Sequence, residues 1–235
     1  MTITEHIAAV RREMAEAARE SGRSERDIFL VGASKMNDAA ACQEAIAAGV
    51  DALGENRVQE MTAHLDDDAY AGAALHFIGH LQTNKVRQVV GRVELIESVG
   101  SEHLLEAIEA QAAKLELVQD ILLEVNIGGE ASKSGISPEE LSALAAQAVG
   151  SPHVRLRGLM AIPPVAAGPD GNRPFFAKMR QLYVDIRSQM DDNKTSFDCL
   201  SMGMSGDFED AVREGATLVR VGTALFGPRP PMHKG

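Results

Sequence analysis

Lys35 closes the run Ile28-Phe29-Leu30-Val31-Gly32-Ala33-Ser34-Lys35, which reads as a short apolar strand ending on an amine. At the mouth of a buried strand, low-dielectric walls disfavour the ammonium and favour the neutral amine, the form that attacks carbonyls and makes Schiff bases. The alternative, a lysine pointing into water as the strand exits, stays open on this run alone. Far along the chain, one apolar run leads into Ser201-Met202-Gly203-Met204-Ser205-Gly206-Asp207, and the last apolar run carries Arg220 and leads into Gly222-Thr223. Glycine lets backbone N–H groups come close to an anion, and serine or threonine adds a hydroxyl donor, so both turns suit a phosphate. Taken singly, each is equally an ordinary strand-to-helix turn.

The elements that must position these groups repeat. Apolar runs fall at 28–33, 50–53, 75–78, 93–99, 121–127, 154–160, 197–202 and 217–221, eight candidate strands. Helical spacing fills the gaps. It is carried by Val58, Met61 and Leu65; by Leu104, Ile108, Ala112 and Leu115; by Leu141, Leu144 and Ala148 behind Ser137-Pro138-Glu139-Glu140; and by Phe175, Met179, Leu182, Ile186 and Met190. A short helix follows Gly206, with Phe208 and Val212 inward. Residues 38–48 and 82–90 are weaker helical patterns. Residues 1–21 form an extra amphipathic helix opened by a Thr2/Glu5 capping box, read as a cap on the barrel base or a pairing surface.

Eight strand–helix units predict an α/β fold, a single (β/α)8 TIM barrel over residues 1–235 with an extra N-terminal helix. A doubly wound open sheet is the alternative, but no G-x-G-x-x-G follows the first strand. Residues 162–174, rich in Pro and Gly, read as a loop over the barrel mouth, and residues 228–235 as a loose tail.

Bulk properties limit the partners. The chain has 235 residues and a formal net charge of −11, which argues against nucleic acid and anionic membrane. No apolar run approaches the ~18 residues of a membrane span. The two cysteines, Cys42 and Cys199, form no disulfide framework, and the N-terminus shows no secretory pattern, so a cytoplasmic protein is expected. His76 and His80 straddle a strand end without a third ligand, so no metal site is expected. Asp66-Asp67-Asp68 reads as a solvated loop. Lys133 could hold a second anion or assist in passing on a ligand; a solvated loop lysine is the more ordinary reading.

In a parallel barrel, active groups sit past the C-terminal ends of the strands, and phosphates commonly bind after strands seven and eight. The residues so placed are Ser34 and Lys35, Glu55 and Asn56, Gly79 and His80, Glu97 and Ser98, Asn126, the Ser201–Asp207 stretch, and Arg220 to Thr223. An amine at one side of the mouth and a phosphate cradle at the other suit a ligand with both an aldehyde and a phosphate, of which pyridoxal 5′-phosphate is the familiar one.

The chain resembles the pyridoxal-phosphate homeostasis protein family, single-domain relatives of the alanine racemase barrel. The matching segments are Val31-Gly32-Ala33-Ser34-Lys35, Gly54-Glu55-Asn56-Arg57-Val58-Gln59-Glu60, His76-Phe77-Ile78-Gly79-His80-Leu81-Gln82-Thr83-Asn84-Lys85, Ser132-Lys133-Ser134-Gly135-Ile136, Arg157-Gly158-Leu159-Met160, Ser201-Met202-Gly203-Met204-Ser205 and Arg220-Val221-Gly222-Thr223-Ala224-Leu225-Phe226-Gly227. The resemblance implies that Lys35 forms a Schiff base with the cofactor, that Ser205, Gly222 and Thr223 hold the phosphate, that Arg220 faces the pyridine nitrogen, and that Asn56 lines the pocket near the ring. Met202 and Met204 are expected to pack beside the ring. His80 and Asp38 depart from the prolines expected at those positions.

An arginine against the ring nitrogen disfavours its protonation and weakens the ring as an electron sink. The alternative for Arg220 is a strand residue paired with a nearby carboxylate. Racemisation also needs two bases. The larger barrel racemases supply a tyrosine from a second domain, and here Tyr70 falls in an acidic loop and Tyr183 on a helical apolar stripe. The expectation is a monomer that binds, stores or hands over pyridoxal phosphate, with pyridoxal-phosphate-dependent apo-enzymes as recipients. A weak amino-acid racemase and a class I aldolase are the alternatives.

Overall fold

The Thr2 hydroxyl accepts the Glu5 amide at 3.2 Å while the Glu5 carboxylate accepts the Thr2 amide at 2.8 Å. This reciprocal cap opens Ile3–Glu20 (α1), where the sequence places it. Ile7, Val10 and Met14 form its buried stripe. A computed structural model of the protein describes residues 1–130, 133–164, 171–190 and 196–227. The tail at 228–235 and the centre of the proline-rich loop, 165–170, lie outside the described residues.

Eight strands, Phe29–Ala33 (β1), Ala52–Glu55 (β2), Ala74–Phe77 (β3), Leu95–Val99 (β4), Gln119–Glu124 (β5), Val154–Met160 (β6), Cys199–Ser201 (β7) and Leu218–Val221 (β8), pair in chain order as a closed parallel barrel. The ring closes where Phe29, Leu30, Val31 and Gly32 of β1 face Leu218, Val219, Arg220 and Val221 of β8. Helices Ala39–Ala47 (α2), Val58–Asp66 (α3), Glu102–Lys114 (α4), Leu141–Gly150 (α5), Arg173–Ser188 (α6), Phe208–Arg213 (α7) and Thr223–Phe226 (α8) follow strands in the expected alternation. Between β3 and β4, a 3₁₀ turn at Thr83–Gln88 stands where the helical pattern is thinnest. The helix α1 packs on α2, α7 and α8, across the seam of the ring.

Two strands start later than their apolar runs because burial does not require a ladder. Val50 and Val93 are buried on the turns leading into β2 and β4, so those strands start later than the runs. One consequence is that Glu55 is the last residue of β2 rather than a loop residue beyond it.

Alternate side chains divide the core. Val31, Ala52, Leu95, Leu122, Met160 and Leu218 cluster inside the ring. A larger layer, including Phe77, Phe176 and Phe197, lies between strands and helices. Burying each such phenylalanine stabilises the fold by roughly 2–3 kcal/mol. At the N-terminal end of the barrel, Asp120 accepts Arg155 at 2.6 and 2.8 Å and Arg157 at 2.7 Å, and Arg157 also binds Asp198. Charges that satisfy one another gather at that end. Among the described residues, no helix is long and apolar enough to cross a membrane.

Candidate functional site

The lysine turn is built by its neighbours. The Ser34 hydroxyl donates to Glu55 Oε1 at 2.7 Å. Asn37 binds back with its amide to the Ser34 carbonyl at 3.0 Å, and with its side chain to the carbonyls of Ser34 and Lys35 at 3.2 Å each. Between them Met36 sits at φ +63°, a left-handed conformation that a long side chain adopts only when its surroundings impose it. Lys35 is therefore held at the strand end by bonds on both sides of it.

A second part of the rim joins the turns after β7 and β8, and β8 is the strand paired with β1. The Ser205 hydroxyl accepts the amides of Gly222 at 3.1 Å and Ala224 at 3.2 Å. Gly203, at φ +93°, lets the turn after β7 press on α7; a Cβ there would meet Ala211 Cβ at 2.5 Å. The Asp207 carboxylate fastens this turn by accepting the Met204 amide at 2.7 Å and the Asn172 side chain at 2.7 Å.

Lys35, Ser205, Gly222, Thr223 and Arg220 line one cavity of about 310 Å³. That volume lies at the small end of ligand sites, ~300–1,000 Å³. Met204, Asn37 and Phe226 contribute further wall. Among the described residues, two basic side chains line it and no acid does, in a chain of net charge −11. The cavity thus gathers amine, guanidinium, hydroxyl and backbone amide around one small space, a donor set that fits a phosphorylated aldehyde.

Two expected residues stand apart from this lining. Met202 is fully buried in the layer between strands and helices; Met204, exposed at the mouth, is the methionine that reaches the cavity. Asn56 is not among the lining residues, and its Oδ1 is buried with no hydrogen-bond partner. Gly79 lies so close to the Asn56 backbone that a Cβ would overlap its carbonyl, which fixes glycine in the third loop beside the exposed His80.

Both readings of Arg220 meet in the same side chain. Its guanidinium reaches the cavity, yet it is buried, donating to Ser201 Oγ and to the Ala161 carbonyl at 3.0 Å, and lying 3.6 Å from Glu97 Oε2. Burial pulls its pKa down, against the raising charges of Glu97, Glu124 and Asp207. Glu97 is pushed up by burial, but the hydrogen bond and charge of His76, the charge of Arg220 and the Ser201 hydroxyl outweigh it and hold the carboxyl below its usual range. Glu124, facing the same guanidinium, is raised by burial. Strand position alone pointed to Glu97; its inward direction and its partners needed the closed ring. Glu124 gave no sequence signal beyond an acid at the end of an apolar strand.

Tyr70, placed by sequence in an acidic loop, lies on a turn but is buried, its hydroxyl donating to Glu55 Oε1 at 2.9 Å. Burial and the Glu55 carboxylate push its pKa up. Tyr183 donates to the Phe197 carbonyl at 3.0 Å. Lys133 is half-buried, donating to the Pro163 carbonyl at 3.0 Å and pairing with Glu130 at 2.7 Å. Among the described residues, no three His, Cys, Asp or Glu side chains gather as metal ligands.

The family described as alanine racemase, N-terminal domain, matches residues 6–230. Proteins named pyridoxal phosphate homeostasis protein are 41% identical in Aquifex aeolicus, over 97% of this chain and 99% of that one, and 41% identical in Pseudomonas aeruginosa, over 97% and 96%. The structure of PipY from Synechococcus elongatus with PLP bound is similar at TM-score 0.82 and 33% identity, covering 96% of this chain and 100% of that one. An alanine racemase from Corynebacterium glutamicum, at 15% identity and TM-score 0.65, shares the fold over 96% of this chain and 62% of its own. An eight-stranded barrel with a lysine and a glycine–serine rim on one cavity thus comes with full-length likeness in sequence, and the chain belongs to the alanine racemase N-terminal domain family, among its pyridoxal phosphate homeostasis proteins.

Proposed function

We propose that the protein binds pyridoxal 5′-phosphate as a Schiff base on Lys35 and stores it or hands it to apo-enzymes, keeping the free aldehyde low, without robust turnover of amino acids. The observation that carries this reading is that Lys35 and the Ser205–Gly222 rim line the same cavity. The name of the relatives and the PLP bound in PipY support it. The chemistry the group supplies when bound is its aldehyde, with which a neutral lysine amine condenses with loss of water. Ser205, Gly222 and Thr223 offer the phosphate donors, and Arg220 offers the ring nitrogen a guanidinium. Asn37 and Ser34 keep the amine at the rim.

The weak-racemase alternative needs a second base at the cavity. Tyr70 and Tyr183 both spend their hydroxyls elsewhere, which favours a carrier. A reducing cytoplasm and a monomeric state complete the reading; the free thiols Cys42 and Cys199 accord with the first, and gel filtration tests the second.

The test is the absorbance of the purified protein with added pyridoxal phosphate. A band near the visible edge is expected, and its loss in Lys35→Ala. If Lys35→Ala keeps the same band, the assignment is wrong. Exchange of the α-hydrogen of alanine or serine in deuterated water would move the protein to the racemases. A borohydride-trapped adduct with a substrate carbonyl, formed with no cofactor band, would make it an aldolase.

A further inference from the structure

Glu97 is a fully buried carboxylate inside the ring. A buried ion is costly unless donors and an opposite charge surround it, and well-packed apolar side chains would fill the same space at less cost. Here the partners are complete. His76 Nδ1 lies 2.8 Å from Oε1, and a carboxylate only accepts, so this nitrogen carries the hydrogen. The Ser201 hydroxyl donates to Oε2 at 2.6 Å and in turn accepts Arg220 Nη1. The guanidinium completes the pair at 3.6 Å from Oε2. At the far end, His76 stacks on Phe29, with ring centroids 5.8 Å apart, and borders a second cavity at the barrel base shared with Glu94, Asp120, Arg157 and Asp198. A single chain of hydrogen bonds therefore crosses the barrel interior and ends on the cation of the upper cavity.

We propose that Glu97, locked by His76 and Ser201, is the positioning residue for Arg220, so that the cavity offers the cofactor ring a fixed hydrogen-bond donor whose charge is cancelled rather than a free cation. The inference rests on the pyridoxal phosphate reading above and deepens it. The other charged groups facing Arg220 are Glu124 from β5 and Asp207 after β7; Lys35 lines the same cavity. Glu97 itself is held by His76 and Ser201.

Glu97→Gln keeps the shape and deletes the charge. With one more net positive charge beside the bound group, its cationic protonated form is disfavoured. The pH midpoint of the Lys35-dependent band is expected to fall by about one unit, and affinity for pyridoxal phosphate by about tenfold. His76→Ala, which leaves the carboxylate but frees it to turn, is expected to shift the midpoint less, and His76→Asn, which replaces the Nδ1 donor, to restore it. Circular dichroism and the urea midpoint identify variants that fail to fold; if Glu97→Gln does, the His76 pair decides. A wild-type protein with no Lys35-dependent band would remove the pyridoxal phosphate reading and this inference with it. A wild-type band whose midpoint is the same in Glu97→Gln and His76→Ala would overturn this inference alone.

Discussion

The Ser34 hydroxyl donates to Glu55 Oε1 at 2.7 Å, tying the residue before the lysine to the end of the neighbouring strand. The same oxygen takes the Tyr70 hydroxyl at 2.9 Å and lies 2.9 Å from His64 Nδ1. One carboxylate in the layer outside the ring thus anchors a turn, a helix and the lysine strand. Glu55→Ala leaves several buried donors unmet and is expected to cost about 3 kcal/mol or more, whereas Tyr70→Phe removes one bond of three and costs about 1 kcal/mol. Urea unfolding of the two variants checks the order, and equal losses would contradict it. Glu55→Ala is also expected to weaken the Lys35-dependent band, because the turn it secures carries the amine.

Ser205 holds two backbone amides from the next loop. Ser205→Ala is expected to lower stability by about 1 kcal/mol and affinity for pyridoxal phosphate by roughly tenfold, since it removes a donor and loosens the amides beside it. Calorimetric titration measures the second effect. Affinity for pyridoxal, which lacks the phosphate, should change little; a matching loss there would detach Ser205 from phosphate binding.

Two of the carboxyls near Arg220, Glu97 and Glu124, predict opposite pH behaviour. The native pKa of Glu97 lies below its ordinary value, so its contribution is present above the ordinary carboxylate range, ~4.3, and is lost as pH falls through the native value. The native pKa of Glu124 is raised by burial, so its ionisation opposes folding once pH rises above ~4.3 toward the native value. Glu124→Gln should therefore be more stable than wild type at neutral pH, with the gap closing in acid. Glu97→Gln should be less stable at neutral pH, with its gap also closing in acid. Denaturation at several pH values separates the signs.

Burial, aided by the charges of Glu55 and Asp198 respectively, pushes the Cys42 and Cys199 thiols up to about 12. Near pH 8 both should react with an aromatic disulfide reagent about a thousandfold more slowly than a free thiol, and both at ordinary rates once unfolded. Rapid labelling of native Cys199, the less buried of the two, would contradict this.

Much of the site could be read from sequence because it depends on strand ends. Lys35 and the glycine turns come just after apolar runs, Arg220 is carried within the last strand, and the barrel rule then sends them to one face. What sequence could not supply was direction. Ser201 faces into the ring, toward Glu97, so Met202, one residue on, faces the helices, while Met204 lies beyond the strand and is free to reach the cavity. A one-residue change of parity separates lining from core. Tyr70 was hidden differently: three neighbouring aspartates give its segment the look of a solvated loop, and only the folded chain brings it to Glu55.

The pairing of β1 with β8 has a consequence for how the chain reaches its final form. Until Leu218–Val221 arrives, both β1 and β7 present bare edges, the kind of surface that recruits other chains. Shortened products ending before this segment are thus expected to clump, and the final strand acts as the clasp that makes the ring safe in a crowded solution.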